Sequence, residues 1–592
     1  MGLNWEKQIG IFVTKLTQTL LALENKTIVR QLKQTAQLME LHGENPFKIR
    51  SCTSAVFNLE KLDQPLAGMD QAALQNLDGV GKSLAEGIVA MIESGTLPAL
   101  QELLDATPPG VVEMLEIKGI GPKKIRTLWQ ELNIETIEGL LEATEKGEVA
   151  KVKGFGEKTQ ETIKHALLYR MANVGKLHFR EAEKLAIELV EGLTSQLPKA
   201  SISQTGALRR RLEIIDALEV LIGHDDRAAV KATLDKWDAI TLNKKASGPL
   251  TVRATWVATD TPLVFHLCPQ EKFAKELLIT SAGPEHLSAL VKDDQSLRQL
   301  LANTTPKSEE EAYALADLAY IEPEMREGQF EFALAKENKL PKLVTMEDLK
   351  GILHNHSTYS DGKHSLREMA EACRDLGYQY LGISDHSKTA FYANGLEEPR
   401  VKQQHEEIDA LNKELAPFRI FKGIESDILH DGALDYADDV LASFDFIVAS
   451  VHSGLNMDQK KATERLITAI ANPYTTMLGH PTGRLLLKRE GYPIDHKAVI
   501  DACASQGVII EINAHPWRLD LDWRWVHYAL EQGVMISINP DAHEKDGYHD
   551  MRYGLLVGRK GGLTADMTFN AKSVDEVAEY FAQRKAAIGA TA

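Results

Sequence analysis

Between about residue 348 and residue 592, short apolar segments alternate with amphipathic, helix-like segments, and this alternation strongly constrains the fold. The seven apolar segments are GILHNHS, YLGISDHS, FRIFKGIESDIL, FDFIVASVHS, TMLGHPTG, GVIIEINAHP and VMISINPDAH. Each carries histidine, aspartate or glutamate towards its C-terminal end. Repeated strand–helix units favour a parallel sheet or barrel, and polar residues at the strand ends indicate a site at one mouth.

The first two segments carry residues that can hold a metal ion. His354 and His356 alternate along one strand, so that both side chains point to the same face. Asp361 follows in a Ser-Asp-Gly turn, and Asp385 and His386 end the second strand. Imidazoles two residues apart, together with carboxylates and more histidines at later strand ends, are typical of a cluster of first-row metal ions.

The length and composition of the chain limit the classes of protein to consider. With 592 residues it is too long for one core, so that three or four domains are expected. The N-terminus lacks a signal-peptide pattern, and no apolar stretch approaches the roughly 18 residues of a transmembrane helix. The four cysteines are scattered without a CxxC pair, which indicates reduced thiols. We therefore expect a cytoplasmic protein that does not bind membranes.

The first 165 residues are predicted to be helical. A long helix spans VTKLTQTLLALENKTIVRQLKQTAQLMELHG and stops at His42-Gly43. A weak repeat follows, in which an apolar residue, a polar residue and Gly-x-Gly precede a helix. Its three copies contain Gly79 and Gly81, Gly119 and Gly121, and Gly154 and Gly156.

This repeat resembles the helix-hairpin-helix, which holds the DNA backbone without reading its sequence. Glycines let a backbone approach closely, and the N–H groups at a helix start can bind a phosphate oxygen. The predicted DNA contacts are therefore the six glycines together with Lys82, Lys123, Lys124 and Lys158. Tight helix–helix turns without a DNA role are the alternative. The formal net charge of −18 does not decide between them, since a binding face is local.

Residues from 166 onwards are predicted to form an α/β unit, with a helix in GKLHFREAEKLAIELVEGLTSQL and strands in IIDALEVLIG, LTVRATWVATD and LVFHLC. The stretch Gly206-Ala207-Leu208-Arg209-Arg210, followed by Glu213 and a strand, is similar to the nucleotide-binding turn of X-family DNA polymerases. ENPFKIR (44–50) and YIEPEMREG (320–328) belong to the same resemblance. Over its whole length the chain resembles the bacterial and archaeal X-family DNA polymerases that are fused to a C-terminal PHP (polymerase and histidinol phosphatase) domain.

The resemblance implies a multidomain α and α/β fold. It places a helical DNA-binding region with helix-hairpin-helix repeats at 1–165 and a nucleotidyltransferase-like palm and thumb at 166–345. A distorted (β/α)7 PHP barrel with metal-dependent phosphoesterase activity follows at 346–592. The stretch between about 308 and 350 is predicted to be a polar, mostly helical connector, and the last 40 or so residues a closing strand and helix.

The chain departs from the polymerase pattern where that chemistry needs acidic residues to hold two Mg²⁺ ions. Gly206 keeps its place, but Ala207 replaces the serine of the turn. Ala217 and Glu219 fall on the family's Asp-x-Asp, and Thr251 falls on its third aspartate. We therefore expect a degenerate nucleotide site at Gly206, Arg209 and Arg210, with polymerase activity lost.

The PHP resemblance implies nine metal ligands and two or three divalent ions. All nine positions carry the expected residue types: His354, His356, Asp361, His386, Glu425, His452, His480, Asp541 and His543. Glu425 falls on the family's bridging carboxylate, and we predict catalytic roles for His354, His356, Glu425, His452 and Asp541. Mixed histidine and carboxylate ligation suits Mn²⁺ or Zn²⁺, with Fe or Mg²⁺ as further candidates. Such a site supports phosphoester hydrolysis.

Residues next to these ligands are predicted to assist them. Lys388 and Arg484 are the candidates for binding a substrate phosphate, with surface cations as the alternative. Asp385, Asp427, His364 and His515 are candidates for supporting the ligands, because a ligating histidine usually donates its other N–H group to a neighbour.

Four hypotheses follow. The first is a DNA-binding, metal-dependent phosphoesterase that acts as a 3′→5′ exonuclease or trims 3′ ends in repair, with gapped, nicked or 3′-ended DNA as its partner. The second is a working gap-filling polymerase whose PHP domain proofreads. The third is a small-molecule phosphatase of the histidinol-phosphate type, for which the helix-hairpin-helix repeats would have no use. The fourth is a DNA-binding scaffold with an empty site.

Overall fold

The computed structural model describes residues 24–591 except 63 and 118. Two compact units are present: the first ends at Ala172 and the second begins at Asn173. The second unit contains both regions predicted as palm and barrel. Among the described residues, no helix combines the length and the apolar character needed to cross a membrane.

The first unit is helical. Its helices are α1 (Asn25–His42), α2 (Pro46–Leu59), α3 (Gln71–Gln75), α4 (Lys82–Ser94), α5 (Pro98–Asp105), α6 (Pro109–Met114), α7 (Pro122–Leu132), α8 (Ile137–Glu145) and α9 (Gly156–Asn173). Helix α1 ends where predicted, because Gly43 adopts the left-handed conformation (φ +70°) that closes a helix. Its predicted beginning lies outside the described residues.

The second unit opens with a five-stranded sheet. Its elements up to the barrel are β1 (Leu177–His178), α10 (Phe179–Gln196), β2 (Ser201–Gln204), α11 (Gly206–Arg209), β3 (Ile214–Ile215), β4 (Leu218–Gly223), α12 (Arg227–Asp235), β5 (Ile240–Leu242), β6 (Thr251–Trp256), β7 (Thr261–Cys268), α13 (Phe273–Thr280), α14 (Pro284–Ser288), β8 (Leu290–Lys292), β9 (Gln295–Ser296), α15 (Leu297–Ala302), α16 (Glu309–Ala314) and α17 (Glu331–Lys336). The sheet order is β2-β4-β7-β6-β5, in which β4 and β7 are parallel and the other neighbours antiparallel. Two of the three strands predicted here are present as single strands, β6 and β7, whereas IIDALEVLIG is divided into β3, which pairs with β1, and β4 of the five-stranded sheet.

A nearly closed parallel barrel forms the rest of the second unit. Its elements are β10 (Gly351–Ile352), α18 (Leu366–Asp375), β11 (Tyr380–Ile383), α19 (Glu398–Glu414), β12 (Arg419–Asp427), α20 (Asp438–Leu441), β13 (Phe446–Ser450), α21 (Gln459–Ile470), β14 (Met477–Leu478), α22 (His496–Gln506), β15 (Ile509–Asn513), α23 (Trp523–Glu531), β16 (Ile536–Asn539), α24 (Met551–Lys560) and α25 (Val574–Thr591). The seven strands pair in chain order, and a parallel bridge between Asn355 and Ala542 joins the segments that follow the first and last strands. The seven predicted strands are thereby confirmed.

Two local predictions were wrong. The stretch between 308 and 350 does not merely connect two domains, because Tyr313, Ile321 and Met325 are buried in an apolar cluster with Leu278 and Leu297. The apolar residues within this polar stretch therefore give it a packed core of its own. The end of the chain forms helices α24 and α25 and no closing strand among its described residues.

Candidate metal centre at the barrel mouth

The predicted ligands meet at the C-terminal mouth of the barrel because the parallel strands deliver their ends to one side. Glu425 lies within β12, and the other ligands lie on the segments that follow β10, β11, β13, β14 and β16. All nine fall into four overlapping groups, in each of which the candidate ligand atoms lie within 4.8 Å of one another. His354 and Asp541 hold positive φ angles of 61° and 53°, a costly conformation for residues with a Cβ that is maintained chiefly at functional sites.

The carboxylate of Glu425 is the centre of the cluster. Its Oε1 lies 3.2 Å from His354 Nε2, 3.1 Å from His452 Nε2 and 3.0 Å from His480 Nε2. Its Oε2 lies 3.0 Å from His386 Nδ1. A carboxylate that faces different histidines with its two oxygens could supply a ligand atom to more than one ion.

Two aspartates complete the cluster on either side of His356. Asp541 Oδ1 lies 3.1 Å from His356 Nε2 and 3.6 Å from His354 Nε2. Asp361 Oδ1 lies 3.3 Å from His543 Nε2 and 3.7 Å from His386 Nε2. Asp361 and His543 are partly exposed, whereas the Glu425 side is buried. Solvent therefore reaches the cluster from the Asp361 side.

Hydrogen bonds from deeper residues orient the ligand rings. His354 Nδ1 lies 2.6 Å from Glu511 Oε2, and His452 Nδ1 lies 2.5 Å from Asp427 Oδ1. An ionised carboxylate only accepts, so each of these ring nitrogens donates and each Nε2 is left facing the cluster. The Glu511 carboxylate also accepts from the backbone N–H of His480 at 3.1 Å.

Of the four predicted supporting residues, Asp427 therefore contacts a ligand directly. Asp385 instead accepts from Ser357, Ser360 and Gln404 and fixes the turn that leads to Asp361. The ring nitrogens Nδ1 of His364 and His515 accept from the backbone N–H groups of Lys545 and Trp517. The sequence reasoning missed Glu511, whose signal is a carboxylate inside the apolar strand GVIIEIN.

The charges of the cluster hold its carboxylates ionised. Burial opposes ionisation of Glu425, but the charges of His452, His354 and His386 outweigh it and hold its pKa well below the usual range. Burial lowers the pKa of His356 to about 3, so that this ring is neutral. Ionised carboxylates and neutral imidazoles are the forms that ligate a metal ion.

Several buried donor atoms of the cluster have no hydrogen-bond partner and are available to ligate a divalent cation. His354 Nε2, His386 Nδ1 and Glu425 Oε2 are buried and have no hydrogen-bond partner, although carboxylate or imidazole atoms lie near them. A buried polar atom without a partner costs about 1–3 kcal/mol, and ligation would remove that cost. Burial acts against a charged His452, yet Glu425 and Asp427 raise its pKa to about 10. This excess of negative charge fits bound cations, and the donor set therefore suits a metal cluster.

The predicted phosphate contacts have protein partners. Arg484 Nε donates to the carbonyl of Arg518 at 2.9 Å, and its Nη atoms contact Asp522 and the carbonyl of Leu519. Lys388 Nζ lies 2.9 Å from Glu398 Oε1. A phosphate role for either cation stays a prediction. Arg518 was not predicted, and its Nε lies 3.6 Å from Asp541 Oδ2, beside the ligands.

Three positions of this chain align with the metal-binding aspartates of X-family polymerases. Only one of them, Glu219, carries a carboxylate. Glu219 Oε2 lies 2.8 Å from His266 Nε2, and Thr251 pairs with His266 across the adjacent strands β6 and β7. Within the described part of the chain, groups of three or more potential metal ligands occur in the barrel alone.

The two arginines predicted at the degenerate nucleotide site are held in ion pairs. Arg209 makes a two-pronged contact with Glu309, at 2.8 Å and 2.5 Å, and Arg210 Nε lies 3.0 Å from Glu327. Gly206, at the start of this turn, has a φ of +65° and packs against the side chain of Glu219.

Contacts with barrel helices fasten this turn. Glu213 accepts from Trp523 Nε1 at 3.1 Å and from Arg524 at 3.0 Å, and Lys560 Nζ donates to the carbonyl of Arg210 at 3.0 Å. The residues predicted at a nucleotide site are thus engaged in contacts that stabilise the second unit.

The glycine turns of the first unit have the predicted conformation. Gly79, Gly119 and Gly154 have φ angles of +79°, +99° and +91°. The second glycine of each copy caps or begins the following helix: Gly81 before α4, Gly121 before α7 and Gly156 in α9. Lys82, Lys123 and Lys158 are exposed beside these helix starts, and their DNA contacts stay a prediction.

Comparisons with known proteins agree with this architecture. Family models match at residues 23–97 (helix-hairpin-helix domain), 111–167 (SAM-like helix-hairpin-helix tandem) and 353–515 (PHP domain). The DNA polymerase/3′-5′ exonuclease PolX of Bacillus subtilis is 37% identical over 574 residues, which cover 95% of this chain and all of that protein. This chain belongs to the PolX family.

The barrel of this PolX-family chain has shorter relatives as well. A probable phosphatase of Thermoanaerobacter sp. is 27% identical over 254 residues, which cover 41% of this chain and 98% of the relative. A probable phosphatase of Acetivibrio thermocellus is 28% identical over 247 residues, which cover 39% of this chain and 95% of the relative. The resemblance to X-family polymerases with a PHP domain is thus confirmed.

Proposed function

We propose that this PolX-family chain is a metal-dependent phosphoesterase that removes nucleotides from the 3′ ends of DNA during repair. The observation that carries the proposal is the convergence of nine metal-type ligands at the barrel mouth in a chain that also matches two helix-hairpin-helix models. The fitting substrates are gapped, nicked or 3′-ended strands. The name of the Bacillus subtilis relative, which includes a 3′-5′ exonuclease, supports this polarity.

The residues of the chain have distinct roles in this proposal. Glu425 would supply carboxylate oxygens to the bound ions, while Glu511 and Asp427 keep the rings of His354 and His452 in an orientation suited to ligation. Divalent cations, when bound, activate water and neutralise charge on the phosphoryl oxygens. The partly exposed Asp361 side admits the phosphodiester, and Mn²⁺ or Zn²⁺ suits the mixed ligand set.

We further propose that the chain does not polymerise DNA. Ala217 and Thr251 provide no carboxylate for a second ion, and the remaining Glu219 is hydrogen-bonded to His266. Arg209 and Arg210 are neutralised by Glu309 and Glu327. The sheet then serves as a platform that joins the barrel to the rest of the chain.

The experiment compares the parent protein with the double variant His354→Ala and His356→Ala on a 5′-labelled DNA strand in Mn²⁺. We expect the parent to shorten the strand and the double variant to lose at least 100-fold in rate, because two ligands of the cluster are absent. Metal analysis of the purified proteins should show a matching loss of bound ions.

The matched control is the double variant His496→Ala and His527→Ala, two barrel histidines that stack on Trp525 and Phe330 outside the cluster. It should keep both its ions and its activity. Digestion by the His354 and His356 variant at the parent rate would refute the site assignment, and a parent without bound ions would favour a DNA-binding scaffold.

A small-molecule phosphatase is the second candidate, because the probable phosphatases match nearly their full length to this chain. The two functions differ in substrate preference. A rate on a small phosphomonoester that exceeds the rate on a DNA 3′ end would favour the phosphatase.

A further inference from the structure

The loop from Ser387 to Gly395, which follows the ligand His386, is firmly anchored beside the cluster. At its base, Leu396 N donates to the carbonyl of His386 at 2.8 Å, and Ser387 N donates to the carbonyl of Glu425 at 3.0 Å. Within the loop, the Thr389 hydroxyl lies 2.9 Å from carboxylate oxygens of Asp427 and Asp435. The backbone of this loop is therefore fixed relative to the ligands.

This loop buries its small residues and exposes its large ones. Ala390 and Ala393 are buried, whereas Phe391 is 86% and Tyr392 62% exposed. The two rings lie with their centroids 6.1 Å apart, and the Tyr392 ring is 6.5 Å from that of His386. The exposure of apolar rings to water is unfavourable. A pair of exposed rings on an anchored loop therefore indicates a binding surface.

Exposed large apolar side chains of the barrel concentrate at the cluster. In residues 346–592, as far as the structure describes them, these are Phe391, Tyr392, Trp517, Leu376 and, before β10, Met346. The first three lie on segments that follow the C-terminal ends of β11 and β15, the side that carries the ligands. Leu376 lies before β11, at the opposite end of that strand. The exposed aromatic rings of the described barrel therefore lie at its mouth and not over the rest of its surface.

We propose that Phe391 and Tyr392, whose ring planes lie at 79° to each other, hold the base of the 3′-terminal nucleotide, which stacks on one ring and contacts the other with its edge while its phosphate lies at the cluster. The inference rests on the proposed function and names the substrate feature that the same site recognises. Every base has a flat π face, so aromatic stacking holds strand ends of any sequence and contributes on the order of 10-fold in binding per stacked base. A small phosphate ester without a ring would gain nothing from these side chains.

The test measures how the enzyme distinguishes two 5′-labelled strands in Mn²⁺. One strand ends in an ordinary nucleotide and the other ends in an abasic tetrahydrofuran nucleotide at the same 3′ position. The readout is the ratio of the single-turnover rates at an enzyme concentration below the one that saturates the strand. Contacts of the helix-hairpin-helix region are the same for both strands and cancel in this ratio. We expect a ratio of about 10 or more for the parent and a ratio near 1 for the Phe391→Ala and Tyr392→Ala double variant.

Two control variants isolate stacking from structural damage. The Leu376→Ala variant, altered at the other end of β11, should keep the parent ratio. The double variant Phe391→Tyr and Tyr392→Phe retains two flat rings and should keep it too. A variant whose fold is merely disturbed loses rate on both strands equally and leaves the ratio unchanged.

The outcomes separate this inference from the proposed function. If the parent shortens DNA but the Phe391 and Tyr392 alanine variant keeps its preference for the base-bearing end, the inference fails alone. A parent that shortens both strands at one rate overturns it in the same way. If the parent shortens neither strand in Mn²⁺, the proposed function fails and the inference fails with it.

Discussion

At the residue scale, the sequence predicts which side chains meet but not what holds them in place. The nine ligand positions could be named because the resemblance to PHP domains implies them and each position carries a residue type that can ligate a metal ion. Glu511 could not be assigned, because its role depends on reaching His354, which lies 157 positions away along the chain. A buried carboxylate of this kind becomes recognisable when the strands are arranged in space.

The first prediction concerns Glu511, changed to glutamine to keep its shape and remove its charge. We expect the variant to bind Mn²⁺ about 10- to 100-fold more weakly, since the amide of glutamine has one neutral acceptor oxygen where Glu511 offers two charged ones to His354 Nδ1 and His480 N–H. Calorimetric titration of the metal-depleted protein measures the affinity. Glu490→Gln, at an exposed position of the same barrel, is the control and should bind normally. Equal affinities for the two variants would mean that Glu511 does not support the ligands.

At the element scale, periodic and repeated patterns were reliable and irregular stretches were not. The seven strands and the three glycine turns follow from local chemistry: buried parallel strands require continuous apolar runs, and left-handed turns favour glycine. The fold of residues 308–350 was missed because Tyr313 and Ile321 pack against Leu297, from a different part of the chain. Such packing decides the structure without leaving a periodic signal.

The helix-hairpin-helix turns give the next prediction, a triple variant of Lys82, Lys123 and Lys158 to alanine. If each lysine neutralises one phosphate, DNA binding should weaken, and the slope of log affinity against log salt should fall by about 1 per lysine. Fluorescence anisotropy with labelled duplex DNA at several salt concentrations measures both quantities. The control replaces Lys26, Lys33 and Lys146, which are exposed and lie outside the segments that form the three glycine turns. An unchanged slope in the first triple variant would assign those turns to helix packing only.

At the scale of the whole molecule, the sheet and the barrel form one compact unit, which no sequence pattern predicted. The bonds from Glu213 to Trp523 and Arg524 join positions about 310 residues apart. They use residues that the resemblance assigns to a nucleotide-binding turn. A turn held in this way contributes to the stability of the second unit whether or not it binds a nucleotide, and our proposal places the activity at the barrel mouth.

The most direct test follows the 5′-labelled primer of a gapped DNA duplex in Mn²⁺, with and without deoxynucleoside triphosphates. Our account predicts that the primer shortens under both conditions, and that neither shortening nor extension occurs in the His354→Ala and His356→Ala variant. A primer that lengthens when nucleotides are added, in the parent or in this variant, would contradict the assignment of the barrel as the sole catalytic centre.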